Sequence, residues 1–214
     1  MQALATIRAS RLQKQWDEVV LAADEEFQKL LGAGAEAVRQ LSDAEIVARL
    51  VKRGSTHMAQ HKLRMVVALL KEAGDAAAGQ ERIDEARAFY LKALHLLLDS
   101  PLAEDASDAP DYVPKVEVLA EGLRGTEIPA ATHVILMRHY ESSGQFSKAE
   151  DEFFAILDAD GASAATIEFG LSFYGRLQSQ SDAALATGNL PRVEVEASLL
   201  ELANRRRGCP QSIR

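Results

Sequence analysis

This chain of 214 residues predicts an all-α fold, an array of antiparallel αα-hairpins. Three observations carry that expectation. Apolar residues recur at steps of three and four along nearly every segment, and almost none alternates as a half-buried strand would. Glycines and prolines punctuate the segments at short intervals, so consecutive helices are joined mostly by tight turns and run antiparallel. A pattern of small and aromatic residues suited to a helical hairpin recurs in three places.

The elements follow in order. Leu4, Ile7, Leu12, Trp16, Val19, Val20, Phe27, Leu30 and Leu31 place one stripe on a single helix of about 43 Å at 1.5 Å per residue, ended by Gly32 and Gly34. LSDAEIVARLV then opens with a capping box, Ser42 accepting from the amide of Glu45 and Glu45 reaching back. Gly54 and Ser55 end that helix. A longer one runs from Thr56 to Gly79, with Met58, Met65, Val66, Leu69, Leu70, Ala73 and Ala77 as its stripe. Arg82 to Leu98 follows, packing Ala86, Phe89, Tyr90, Ala93, Leu94 and Leu97. SPLAEDASDAPDYVP, with three prolines, three aspartates and a glutamate, reads as an exposed loop. Pro114 opens a short helix to Leu123, and Pro129 opens another ending near Ser143. Phe146 to Asp158, a long helix from Ala162 to Thr187, and a last one from Asn189 to Arg206 complete the chain. The expected organisation is one helical domain over 1–207: N-terminal helices (1–55), a hairpin (56–99), a loop (100–112), a short helix plus hairpin (113–160) and a long C-terminal hairpin (161–207), with a flexible tail at 208–214.

YESSGQFSKAEDEFFAIL, residues 140–157, shows the hairpin logic best. Tyr140 closes one helix, and Gly144 takes a turn where positive φ is tolerated. Phe146 opens the return helix, Ala149 is small where the axes approach, and Phe153 fills the space toward the neighbour. Glu150, Asp151 and Glu152 are read as the wet side. This set resembles a tetratricopeptide repeat (TPR). AGDAAAGQERIDEARAFYLKAL gives a second copy through Gly74, Ala86, Tyr90 and Ala93, with Glu81 where a turn glycine is usual. ATGNLPRVEVEASLLEL gives a weaker third, with Gly188 and Leu190 at the turn, Val193 for alanine and Ala197 for an aromatic. Gly144 and Gly188 lie 44 residues apart, against about 34 in regular repeats, so the repeats are degenerate. The order of the LSDAE helix start, FYLKALHLLL, YVPKVEVLAEGLRGTEIP and YESSGQFSKAEDEFFAIL also resembles an uncharacterised bacterial family of TPR-like proteins, classed as a domain of unknown function. That resemblance spans roughly residues 30–200. It implies the fold and brings no activity.

Composition narrows the function classes. A hydrophobic fraction of 47% and a charged fraction of 26% are those of a globular protein. A formal charge of −8 opposes broad binding to nucleic acid or an anionic membrane. No apolar run approaches the roughly 20 residues of a membrane span. The opening residues lack a signal-peptide core, and a lone cysteine, Cys209, fits a reducing compartment. A cytoplasmic location is the expectation.

Motifs for chemistry are sparse. His57 and His61 share a helical face, but Met58 stands where a metalloprotease helix needs glutamate, so a solvated helix start outweighs a metal site. His133 and His139, six apart, fall on different faces. GAGAEA follows a helix instead of a strand and reads as a helix stop, and no nucleophile elbow or P-loop is present. The acidic runs EDASDAPD and KAEDEF read as solvated faces, and the arginines at 205–207 complement a helix C-terminus. No catalytic residue, cofactor or metal is expected. The TPR resemblance places function on the inner face of each first helix, at Lys71 and Asp75, Arg138 and Glu141, and Gln178 and Asp182. TPR domains that grip a C-terminal carboxylate use lysine and asparagine where Lys71 and Asp75 stand, and the aspartate disfavours that grip. The expected role is a non-enzymatic scaffold binding a protein or peptide. The alternatives are a homo-oligomer built through the N-terminal helix with Trp16 and Phe27, or an enzyme or metal-binding protein resting on His57, His61 and the acidic runs.

Overall fold

The computed structural model describes residues 2–52, 55–102 and 110–208, and all its regular secondary structure is helical. Twelve helices are present among these residues. They group into two compact units, residues 1–127 and 128–214. Cys209 and most of the acidic loop lie outside the described residues.

In the first unit the chain opens as two helices, α1 (Gln2–Leu12) and α2 (Trp16–Leu31), where one continuous helix was expected. The break is Lys14, a non-glycine residue at φ 57°. No glycine or proline marks it, and tertiary contacts select it: the reversal sets α1 against both α2 and α5 and lays the Trp16 ring on the bare Cα of Gly79. Gly32 ends α2 in the left-handed region, as expected. Gly34 does not only stop a helix; it starts a further short one, α3 (Ala35–Gln40), whose first amide donates to Asp24 Oδ1 at 2.7 Å. Helix α4 (Asp43–Val51) carries the capping box in full, Glu45 N donating to Ser42 Oγ and Ser42 N donating to Glu45 Oε2 at 2.9 Å.

Helix α5 (Thr56–Gly79) is the axis of this unit. Its sequence MVVALLKEAGDAAA is apolar or small on every side, and burial is almost continuous from Met65 to Ala77. The single stripe expected from periodicity is therefore too narrow. Met58, placed on that stripe, is exposed, and Ala59 and Leu63 carry the buried face instead. Helix α6 (Ile83–Leu98) returns along α5, and α7 (Val116–Gly122) covers both. The Tyr90 ring lies between two glycines: a Cβ on Gly74 or on Gly122 would stand 2.8 Å from it. Those two bare backbones let α5, α6 and α7 converge on one aromatic side chain.

The second unit holds α8 (Ala130–Ser142), α9 (Phe146–Ala159), α10 (Ala164–Gln178), α11 (Asp182–Thr187) and α12 (Arg192–Gly208). Pro129 caps α8 and does not enter it. Tyr140, Phe146, Ala149 and Phe153 are all buried, Ala149 and Phe153 completely. Phe153 seats against Gly170 of α10, beside Leu202 of α12. The long helix expected from Ala162 to Thr187 is interrupted at residues 179–181. There Ser181 caps α11 by accepting from the amide of Ala184, a local competitor to helix continuation that periodicity does not see. Val193 of α12 faces solvent.

One corner recurs in both units. Lys14, Glu81, Gly144 and Asn189 each adopt positive φ, at 57°, 62°, 73° and 56°. The next amide donates five residues back in each case: Gln15 to Ser10 O, Arg82 to Ala77 O, Gln145 to Tyr140 O and Leu190 to Leu185 O, at 2.8–3.0 Å. This is a six-to-one helix-ending bond that satisfies a terminal carbonyl and reverses the chain. In the third copy the left-handed residue is Asn189 and not Gly188, whose φ is −78°.

Candidate functional site

Lys71 and Asp75 stand on α5 beneath α1, inside a cluster of charge. Glu72 is fully buried and receives Arg8 Nε at 3.1 Å and Arg11 Nε at 2.8 Å. The Arg11 contact is misaligned for a directed hydrogen bond, so its attraction is electrostatic. Arg11 Nη1 reaches Asp75 Oδ2 at 2.8 Å, and Lys71 Nζ reaches the same oxygen at 2.6 Å. Tyr90 donates to Asp75 Oδ1 at 2.8 Å. Burial, then the Asp75 carboxylate, pushes the Tyr90 phenol well above its ordinary range, which fixes it as a donor. Arg8 also donates to the Tyr112 carbonyl at 2.7 Å. The chain's own first helix thus occupies the α5 face on which Lys71 and Asp75 lie. Phe27 is fully buried and Trp16 packs on Gly79, so the aromatics of the N-terminal segment are engaged within their own unit.

The second unit leaves a comparable face open. A groove of about 960 Å³ runs between the end of α8, the corner at Gly144, α10 and α11. Met137, Phe146, Phe169 and Ala184 give it an apolar floor. Arg138 and Glu141 line it from α8, one turn apart. Arg176 of α10 crosses to Glu141 with two bonds, Nε to Oε1 at 2.6 Å and Nη2 to Oε2 at 2.8 Å. That fork braces the two walls and neutralises Glu141. Arg138 is exposed and forms no ion pair among the described residues. Gln178 and Asp182 are not brought to this groove. Arg192 donates to the Gln178 carbonyl at 3.2 Å and pairs with the Asp182 carboxylate, tying α12 to the α10–α11 junction.

Other singled-out residues divide between surface and packing. His57 and His61 are exposed, the His61 ring edge-on to Tyr112 at 6.2 Å. Among the described residues no three His, Cys, Asp or Glu side chains gather closely enough to hold a metal ion. His133 Nδ1 meets Glu152 Oε2 at 2.5 Å. Glu150, read with Glu152 as wet, is half-buried and accepts from Tyr174 at 2.6 Å and Ser198 at 3.4 Å. Burial raises its carboxyl above the usual range against the pull of the Tyr174 bond. Of that acidic triplet, Asp151 alone keeps an exposed side chain. Among the described residues no helix is long and apolar enough to cross a membrane.

A family model for DUF6483, described as a family of unknown function, matches residues 11–207. That reaches further toward the N-terminus than the resemblance read from the motifs. No curated protein and no solved structure matches the chain.

Proposed function

We propose that this chain, which belongs to the DUF6483 family, is a non-enzymatic scaffold that holds a protein or peptide in the groove of its second unit. The observation that carries the reading is the contrast between two helix faces. The α5 face is filled by α1 and its arginines, whereas the α8 face keeps an apolar floor and a charged rim open. A groove of this size, with a few polar groups over apolar side chains, suits a bound segment. The corners at Lys14, Glu81, Gly144 and Asn189 support a degenerate TPR-like hairpin array as the scaffold, and a cytoplasmic setting agrees with its sparse cysteine. Self-association through the N-terminal segment is the weaker reading, because Trp16 and Phe27 already have partners in their own unit.

The test compares the full chain with Ala183→Trp, a substitution at an exposed groove position that fills the groove without touching the core. Affinity capture from native lysate with the wild type should retain a partner in stoichiometric amount, and Ala183→Trp should lose it. Capture that is absent, or equal for both proteins, would defeat the proposal.

A further inference from the structure

The charges of the groove point to the kind of segment it takes. Three ionised side chains line it: Arg138, Arg176 and Glu141. Glu141 and Arg176 satisfy each other through their two-bond fork, and Arg176 Nη1 also donates to the Ser172 carbonyl at 3.2 Å. Arg176 therefore has little left to offer a ligand. The side-chain hydroxyls of Ser142, Ser143 and Thr187 each donate to a carbonyl of their own helix. Arg138 is left as the strong donor of the groove, a guanidinium with no ionic partner among the described residues, on a chain whose formal charge is −8. A planar guanidinium is matched by a carboxylate, which it binds through paired N–H donors. The neighbouring floor of Phe146, Phe169 and Ala184 is matched by an apolar side chain.

Resting on the scaffold reading above, we propose that the groove of the second unit binds an internal, extended protein segment that sets an aspartate or glutamate against Arg138 and an apolar side chain against Phe146 and Phe169. The proposed acid is a side chain of the segment and not its C-terminus, because Arg138 is the one cation of the lining that is not already bonded to a carboxylate, so the groove shows no clamp of several donors for a terminal carboxylate. The bound carboxylate completes the one unmatched charge of the groove and leaves the Glu141–Arg176 brace intact.

The experiment uses random dodecapeptides displayed with their C-termini fused to a carrier, so that no free carboxylate terminus is offered. They are selected on the full chain and counter-selected on Ala183→Trp. Selected sequences should carry Asp or Glu within a few residues of Leu, Ile or Phe. Their synthetic, C-terminally amidated forms should lose about tenfold or more in affinity for Arg138→Gln and more for Arg138→Glu. Exchanging the peptide's acid for lysine should restore binding to Arg138→Glu. Because Arg138 is exposed and has no ion pair among the described residues, both variants should keep the wild-type melting temperature. Groove-dependent peptides that lack acids, or that bind Arg138→Glu undiminished, would overturn this inference and leave the scaffold reading standing. Binding only by synthetic peptides with a free C-terminal carboxylate would also overturn it. No groove-dependent peptide of either form would remove both.

Discussion

Arg11→Ala tests the buried charge cluster most sharply. At 2.8 Å the Arg11–Glu72 pair has a raw attraction of about 6 kcal/mol at an effective dielectric of 20. Much of that is offset by desolvation, and the useful quantity is the cost of leaving Glu72 behind. Breaking one side of a buried pair costs about 3–5 kcal/mol. Here Glu72 is fully buried, but it keeps Arg8 at 3.1 Å and Lys71 at 3.7 Å, and Arg11 is itself 30% exposed. We therefore expect about 2–4 kcal/mol, around and below the lower end of that range. For a chain of this size each kcal/mol lowers Tm by about 2–4 °C. Arg39→Ala is the control: Arg39 pairs with Glu36, which is 69% exposed, and its loss should cost at most about 1 kcal/mol. Thermal and urea melts of both variants decide the matter, with Arg11→Ala combined with Glu72→Gln to isolate the coupling. If Arg11→Ala proves no worse than Arg39→Ala, or the double variant is additive, α1 is not held by these charges and the account of the filled α5 face fails.

Three further perturbations follow from features already described. Glu81→Gly should raise stability by about 0.5–1 kcal/mol, because Glu81 holds φ 62° where glycine is at ease, and a urea midpoint that falls would contradict this. Ala149→Leu should destabilise by about 1–3 kcal/mol, since Ala149 of α9 is fully buried, and an unchanged Tm would show its surroundings to be loose. Glu150→Gln tests the raised carboxyl. The folded state holds that proton to higher pH than the unfolded chain does, so its contribution is kept in acid and lost as pH rises through the raised value. The variant should match the wild type at low pH and exceed it at neutral pH; parallel pH–stability profiles would refute the assignment.

The helices with strong local signals were legible from the residues alone. The Ser42 capping box, the Gly32 stop and the Gly144 corner are each specified by side chains within a few positions, and the structure contains all three. What periodicity could not reach were decisions made by distant partners. Lys14 takes a left-handed conformation with no local inducement, because the reversal brings Arg8 and Arg11 to residues more than 60 positions away. The break before α11 did have a local sign, Ser181 with its capping geometry, hidden within an apolar pattern that ran straight through it. Among the proposed binding residues, Arg138 and Glu141 reach one groove because they share a helix face, whereas the placement of Asp182 depends on Arg192 from another helix. Glu150 was unreadable for the same reason: a run of acids looks alike in sequence, and it is contacts from other helices, Tyr174 and Ser198 at Glu150 and His133 at Glu152, that distinguish them.

The recurring corner also bears on the order in which the chain folds. Each six-to-one bond spans five residues, so a hairpin joined this way forms through local contacts and encounters little loop-closure cost. The ion cluster of the first unit joins Arg8 to Glu72 and Arg11 to Asp75, each across 64 residues. We expect a span of that length to close after the corners have formed, so that the charge cluster tying α1 to α5 is a late contact of its unit. Weakening its arginines should therefore accelerate unfolding while the refolding rate holds nearly constant, a kinetic signature distinct from that of any change made at the corners themselves.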